Sequence, residues 1–465
     1  MIPHKFYLHF VFYFFILVGC TKRADDTSQR EIAMINGASI TKDELIRRLE
    51  LTPLPEFHKP GGRNKRALDL LIDELVVSQW AKEQGLADSP GYKEAINFIK
   101  QQAMIRELFF EEIRSRAEPD PQQTDETLHK SLQRVTVDVL FTRDESTADE
   151  WNKELQQGVS FNELVKEFEG HLSVRFSEQS FHWGDGTAPI PLEKLAYRLN
   201  VGEASEVIEF PEGFGIMHVQ HKVQDIFLTP GQLQQKRHQI MEVLQARIET
   251  ELADEYVDKL LTPLQIKQKA TGFHSLVRFL ESEMNFISED LPLNTSIFSD
   301  EVQISDDYDL SLAVVESPDF TWDGKDVLTL LRKYNYPINT RSPELLQKSL
   351  ARFFRSALRD YYLAEQARKL GLESNKRVVD DIQSWGRYFL YSSGVSFFDS
   401  QDSNQDDKTI PLRRDEWIDK LREEADIKIN HDLLENVELT GIPMLVLWNS
   451  DLGRQLAVPP LLEFR

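Results

Sequence analysis

Apolar and polar positions along this chain fall into three patterns. The first is a block. Residues 6–18 are almost wholly apolar, follow the basic Lys5, and end at Leu17-Val18-Gly19-Cys20. At about 13 residues the block is too short for a membrane span, which needs roughly 20. The second pattern is helical. Leu68, Leu71, Ile72, Leu75, Val76 and Trp80 recur near i, i+3, i+4, i+7 and predict a helix over 68–80, ended by Gly85. Ile96, Ile99, Met104, Ile105, Leu108 and Phe109 predict another over 92–113. Ile240, Leu244, Ile248, Leu252 and Tyr256 predict a long amphipathic one over 232–261. The third pattern is alternation: Val135, Val137, Val139 and Phe141 interleave with Thr136, Asp138 and Leu140, the period of a half-buried strand.

Punctuation places these elements. Residues 32–35 are a short strand closed by Asn36-Gly37, and Thr41 with Glu44 three residues on forms a capping box at a helix start. Glu118-Pro119-Asp120-Pro121 marks a boundary. Beyond it, helical segments over 147–157 and up to Phe168 lead to loop-like Phe181-His182-Trp183-Gly184 and Pro189-Ile190-Pro191-Leu192. A short helix over 192–199 and strands over 207–210 and 215–221 follow. The order β-α-α-loop-α-β-turn-β predicts a small antiparallel sheet flanked by helices. The fold class is therefore mainly α with an inserted α+β domain.

Charge narrows the partners. The formal net charge of −23 disfavours nucleic acid and anionic lipid surfaces and favours solubility. Cys20 is the only cysteine, so no internal disulfide forms. No phosphate-cradling glycine loop or nucleophile elbow is present. His218 and His221 on one regular strand would face opposite sides and could not share a metal, so neither metal nor cofactor is expected.

Several motifs resemble known families. Leu17-Val18-Gly19-Cys20 resembles the lipobox of bacterial lipoproteins, which implies cleavage before Cys20, a lipid on its thiol and membrane anchoring of an extracytoplasmic protein. Thr21 after the cysteine implies the outer membrane, facing the periplasm. Val137-Asp138-Val139-Leu140-Phe141, Gln157-Gly158-Val159-Ser160-Phe161, His182-Trp183-Gly184, Leu199-Asn200-Val201-Gly202-Glu203 and Gly213-Phe214-Gly215-Ile216-Met217 resemble, in order, the motifs of the parvulin peptidyl-prolyl cis-trans isomerases. Met34-Ile35-Asn36-Gly37-Ala38-Ser39-Ile40-Thr41 and its helices resemble the chaperone region of SurA- and PrsA-type foldases. The resemblance spans residues 31–268.

The departures bear on activity. Active relatives carry a histidine where this chain has Asp138, and a second where it has Gly215. His218, an odd number of residues from Gly215, should face the other side. Prolyl rotation meets an amide-resonance barrier of roughly 18–20 kcal/mol. A site lowers it by gripping the ring in an apolar pocket and favouring the twisted amide. The candidate lining is Trp183, Ile190, Leu192, Tyr197 and Met217, with Asp138 as the candidate catalytic group.

The helical module recurs. Gln366-Ala367-Arg368-Lys369-Leu370-Gly371-Leu372 mirrors Trp80-Ala81-Lys82-Glu83-Gln84-Gly85-Leu86, and Ile382 matches Ile96 at the same spacing. Trp322-Asp323-Gly324 echoes the Asn36-Gly37 turn, and Trp417-Ile418-Asp419-Lys420-Leu421 mirrors Tyr256-Val257-Asp258-Lys259-Leu260. The expected organisation is a leader (1–19), a tether (20–30), a helical chaperone-like module (31–134), a parvulin-like domain (135–224), a helical segment completing the first module (225–268), an acidic connector (269–310), a second helical module without an insert (311–430) and a tail (431–465). Together these imply a lipid-anchored foldase acting chiefly as a chaperone for unfolded or proline-containing polypeptides. Two further readings stand beside it: an isomerase using Asp138 and the apolar lining, and a scaffold docking one dedicated partner.

Overall fold

The computed structural model describes residues 31–51, 62–168, 171, 174–210, 213–224, 229–283, 308–334, 336, 338, 342–401, 410–440 and 458–461. The leader with Cys20, the tether and most of the acidic connector lie outside the described residues. Two compact units are present, residues 1–112 with 253–465, and residues 113–252.

The first unit opens with the hairpin β1 (Glu31–Ile35) and β2 (Ala38–Thr41), turning on Asn36 and Gly37, both at positive φ. Thr41 Oγ1 accepts from the Glu44 amide (3.2 Å) and starts α1 (Lys42–Leu51). α2 (Arg63–Glu83) is buried on almost every side, because Leu70 and Val77 add apolar positions beyond the Leu68-Leu71-Leu75 stripe. Gly85, left-handed at φ 79°, stops it, and α3 (Pro90–Glu112) follows.

The second unit comprises α4 (Pro121–Ser131), β3 (Gln133–Thr142), α5 (Glu145–Gln156), α6 (Phe161–Glu167), β4 (Val174–His182), α7 (Ile190–Arg198), β5 (Ile208–Phe210), β6 (Gly213–Gln224) and the first part of α8 (Pro230–Leu261). The antiparallel sheet has the order β4-β3-β6-β5. β3 is central, and its alternation serves two cores. Val135, Val137 and Val139 join Met217, Val219 and Phe181 with Leu192 and Tyr197 of α7. Leu140 on the other face joins Ile216, Trp151 of α5 and Phe161. The loop-like reading of Phe181-His182 is corrected here: both end the strand β4, which begins at Val174. The strand is an edge, exposed along 175–180, so it carries no apolar alternation to read.

The chain then returns to the first unit through β7 (Lys267–Gln268), α9 (Ala270–Glu283), β8 (Ala313–Glu316), β9 (Thr321–Asp323), α10 (Gly324–Tyr334), α11 (Pro343–Lys369), α12 (Lys376–Gln401), α13 (Ile410–Glu424), β10 (Ile427–Ile429) and α14 (His431–Glu435). This is the first module again, and the two copies exchange parts. One sheet runs β10-β1-β2 and the other β7-β8-β9, so each hairpin takes its third strand from the other copy. α2 packs on α12, and reciprocally α11 packs on α3. Gly371 repeats the left-handed stop of Gly85 at φ 74°.

Three expectations change. Gly324 is the first residue of α10 rather than a hairpin turn; the second hairpin turns between Ser317 and Phe320, and Asp323 caps α10 as Thr41 caps α1. Residues 270–283, placed in the connector, form α9, which buries Leu276, Val277, Phe279 and Leu280. Part of the supposed tail is core, since Leu434, Val437 and Leu461 pack with Ile32, Ile35 and Leu68. Among the described residues no helix is long and apolar enough to cross a membrane.

Buried charge joins the copies as well. Arg48 of α1 pairs with Glu74 of α2 in the core and donates to Ser384 Oγ of α12 (3.3 Å). Arg387 of α12 pairs with Glu44, whose pKa burial raises against the pull of Arg387 and Arg48. Asp381 accepts from Arg47 (3.0 Å) and pairs with Arg106.

Candidate functional site

Asp138 lies mid-strand on β3 at 3 % exposure. Its Oδ2 accepts from Gln220 Nε2 at 2.7 Å, and the same amide reaches Glu178 Oε2 of β4 at 3.3 Å. His218 stands directly opposite in register, its Nδ1 3.8 Å from Oδ2, beyond hydrogen-bond reach. Asp138 Oδ1 and His218 Nδ1 are buried and have no hydrogen-bond partner among the described residues. The His218 ring stacks on Phe161 (4.8 Å between centroids, 12° between planes). Phe161 is held by the N-terminus of α6, where Ser160 and Glu163 form a reciprocal capping box. Their hydrogen bonds hold the Glu163 carboxyl below its ordinary pKa of 4.5.

Gly215 pairs with Phe141 and so lies on the other face from Asp138 and His218. A Cβ there would meet the Leu140 carbonyl oxygen at 2.7 Å and Phe210 at 3.0 Å, which leaves no room for an imidazole. The two positions at which the resemblance implies histidines are thus separated by the sheet.

The apolar candidates fall on the Gly215 face. Met217 is buried beneath Leu192 and Tyr197 in the α7 core, and Ile190 is exposed at the start of α7. Trp183 meets Tyr197 edge-on (5.3 Å), with the Arg247 guanidinium 5.0 Å and Lys130 Nζ 5.3 Å from its ring centre. Its amide donates to Tyr197 Oη at 2.8 Å, and that hydroxyl donates to the Gln133 carbonyl. The buried Glu193 accepts from the Gly184 amide and from Arg247, each at 2.6 Å, and pins the loop to α8. Lys222 caps the end of α7 by donating to the Tyr197 (3.0 Å) and Leu199 (2.6 Å) carbonyls; burial lowers its pKa, with Glu203 opposing. The structure brings Trp183, Leu192, Tyr197 and Met217 together and keeps Asp138 apart from them.

Reading the sequence missed that His218 and Gln220 gather around Asp138. Residue counting places His218 away from Gly215, as observed, but only the β3–β6 register shows it opposite Asp138. A bulge in β6 at Gln220 also overturns the alternation argument for His221: it pairs with Thr136 and shares by register the His218 side. Among the described residues no group of three or more potential ligands could hold a metal ion.

Curated relatives and solved structures resemble part of this chain. The foldase protein PrsA of Geobacillus kaustophilus is 27 % identical over 223 residues, 44 % of this chain and 75 % of its own length. PrsA of Caldanaerobacter subterraneus is 23 % identical over 244 residues, 45 % of this chain and 80 % of its own. Among solved structures, the PrsA peptidylprolyl isomerase of Bacillus anthracis covers 47 % of this chain and 94 % of its own at 18 % identity and a TM-score of 0.23. A SurA-like chaperone of Campylobacter jejuni covers 51 % of this chain and all of its own at 18 % identity and 0.24. No family model matches the chain. The chain resembles the PrsA foldases over 44–45 % of its length, which supports a foldase or chaperone role.

Proposed function

We propose that this protein is a lipid-anchored extracytoplasmic foldase that binds unfolded polypeptides and acts chiefly as a chaperone. The observation that carries the reading is the division of the isomerase-type centre. Asp138 faces one side of the sheet with His218 and Gln220, while Gly215 and the apolar candidates face the other. A prolyl site needs its polar and apolar walls around one substrate. Two copies of a helical module suit adaptable capture of non-native chains. Anchoring through Cys20 on the outer membrane, facing the periplasm, would concentrate that capture where envelope proteins emerge.

Prolyl-peptide isomerisation by the full chain, beside suppression of aggregation of unrelated unfolded clients, tests this reading. Aggregation suppressed at background isomerisation supports it. Turnover well above background, lost in Asp138→Ala, overturns it. Replacing Cys20 by serine should release the protein from membranes; retention would sink the lipid anchor.

A further inference from the structure

We infer that the free edge of β4 is a strand-addition site for an extended client segment carrying a basic residue two positions from an aromatic or large apolar one. The inference rests on the chaperone reading and gives it a surface and a client chemistry.

β4 is the terminal strand of its sheet, and its nine residues pair with β3 in one unbroken register from Arg134–His182 to Thr142–Val174. The residues 175–180 are exposed in the whole chain. Native edges are usually blunted by proline, lysine, a bulge or a covering element. Residues 175–180 hold no proline, lysine or bulge, no element among the described residues covers them, and their charges are Arg175 and Glu178. A long, straight, uncovered edge presents the backbone groups that an extended peptide pairs with.

The side chains choose the guest. Phe176 and Glu178 sit two apart and share the face of Leu140 and Asp138, their partners in register. Phe176 is 49 % exposed, an unusual setting for a phenyl ring on a sheet. Beneath Glu178 lies Asp138, with a buried, unpartnered Oδ1 and with Oδ2 joined to Glu178 through the Gln220 amide. Glu178 therefore faces the guest residue added opposite it, with Asp138 one strand further into the sheet, and a lysine or arginine there makes a cross-strand charge pair with Glu178. The next guest residue on that face lies against Phe176. The net charge of −23 adds a long-range pull on basic segments. Arg175 alternates to the other face and does not oppose this.

A labelled, proline-free peptide alternating threonine with one lysine and one phenylalanine two residues apart tests the edge without engaging any prolyl site. Anisotropy with the full chain should show binding that Glu178→Lys weakens about tenfold. The peptide with glutamate in place of lysine should bind poorly to the wild type and regain affinity on Glu178→Lys. N-methylation of alternate peptide amides should abolish binding. Equal binding of the methylated peptide, or indifference to Glu178→Lys, overturns the inference. If the wild type self-associates and Glu178→Lys does not, a second copy occupies the edge and the inference also fails. Aggregation suppression, measured on the same proteins, separates the two levels: suppression without edge binding leaves the chaperone reading standing, and no suppression removes that reading itself.

Discussion

Asn36 and Asp426, close to opposite ends of the described chain, clasp each other twice. The Asn36 amide donates to the Asp426 carbonyl at 3.1 Å, and the Asp426 amide donates to Asn36 Oδ1 at 2.8 Å. The clasp fixes β10 on β1 and so sets the register between the two copies of the module. Asn36→Ala removes two bonds, the one from the Asp426 amide and the one that Asn36 Nδ2 donates to Gln79 Oε1 (2.8 Å), and places a less tolerant residue at φ 48°. We expect a loss of about 2 kcal/mol in urea unfolding. Truncation after residue 424, which deletes β10 and the buried Leu434 and Val437, should abolish cooperative unfolding of this unit; an unchanged transition would contradict the exchanged architecture.

The contact between α2 and α12 depends on a missing side chain. A Cβ on Gly394 would lie 3.1 Å from Ala81 Cβ and 3.1 Å from Val77 Cγ1. Gly394→Val should overpack this seam and cost about 2 kcal/mol. Gly91, with nothing within 4 Å of its Cβ position, is the control. Equal stability of Gly394→Val and Gly91→Ala would show that the helices separate more easily than their spacing implies.

Restoring the family's histidines should not restore an isomerase. Gly215→His drives a side chain into the Leu140 carbonyl and Phe210, and Asp138→His deprives Gln220 of the nearer of its two acceptors. The double variant should melt lower than the parent and leave prolyl turnover at background. Asp138→Ala alone should destabilise by about 1 kcal/mol, because it leaves the half-buried Gln220 amide with only the longer bond to Glu178. Efficient turnover by the double variant would refute the geometry.

Acid should loosen α6 through Glu163. Its folded pKa is depressed below 4.5 by the Ser160 amide and hydroxyl. The contribution is therefore fully present above the unfolded value and is lost as pH falls through the folded one. Ser160→Ala should lower the melting temperature at neutral pH and flatten its decline below pH 4.5. Because Phe161 stacks on His218, amide exchange around β6 should rise in the same variant. A parallel decline with pH in both proteins would remove Glu163 as the cause.

The residues that were legible in the sequence share a local cause. Val135, Val137 and Val139 announce β3 because one face must be apolar at every second residue. Thr41 and Glu44 announce α1 because the unpaired amides of a helix start need an acceptor within three residues. The resemblance implied an α+β domain. What escaped is set by long-range pairing. β4 is exposed, so nothing in its composition answers to burial. The bulge at Gln220 changes register without a signature in residue type. The exchange between copies is invisible for a further reason: α3 and α12 offer chemically similar stripes, and periodicity does not say which of them α2 will choose. For the same reason Asp138 looked solitary until β6 put His218 opposite it.

The reciprocal strands impose an order on the protein's own birth. β1 and β2 leave the ribosome early, while β10, their third strand, is among the last described segments to be made. Until it arrives, Ile32, Ile35 and Leu68 lack part of their core, and loop closure spans almost the entire chain. The first copy thus waits, partly unclad, through the synthesis of the long stretch between β2 and β10, and β10 must arrive before the N-terminal hairpin is sealed. A protein proposed to shelter unfinished chains is itself unfinished for most of its translation.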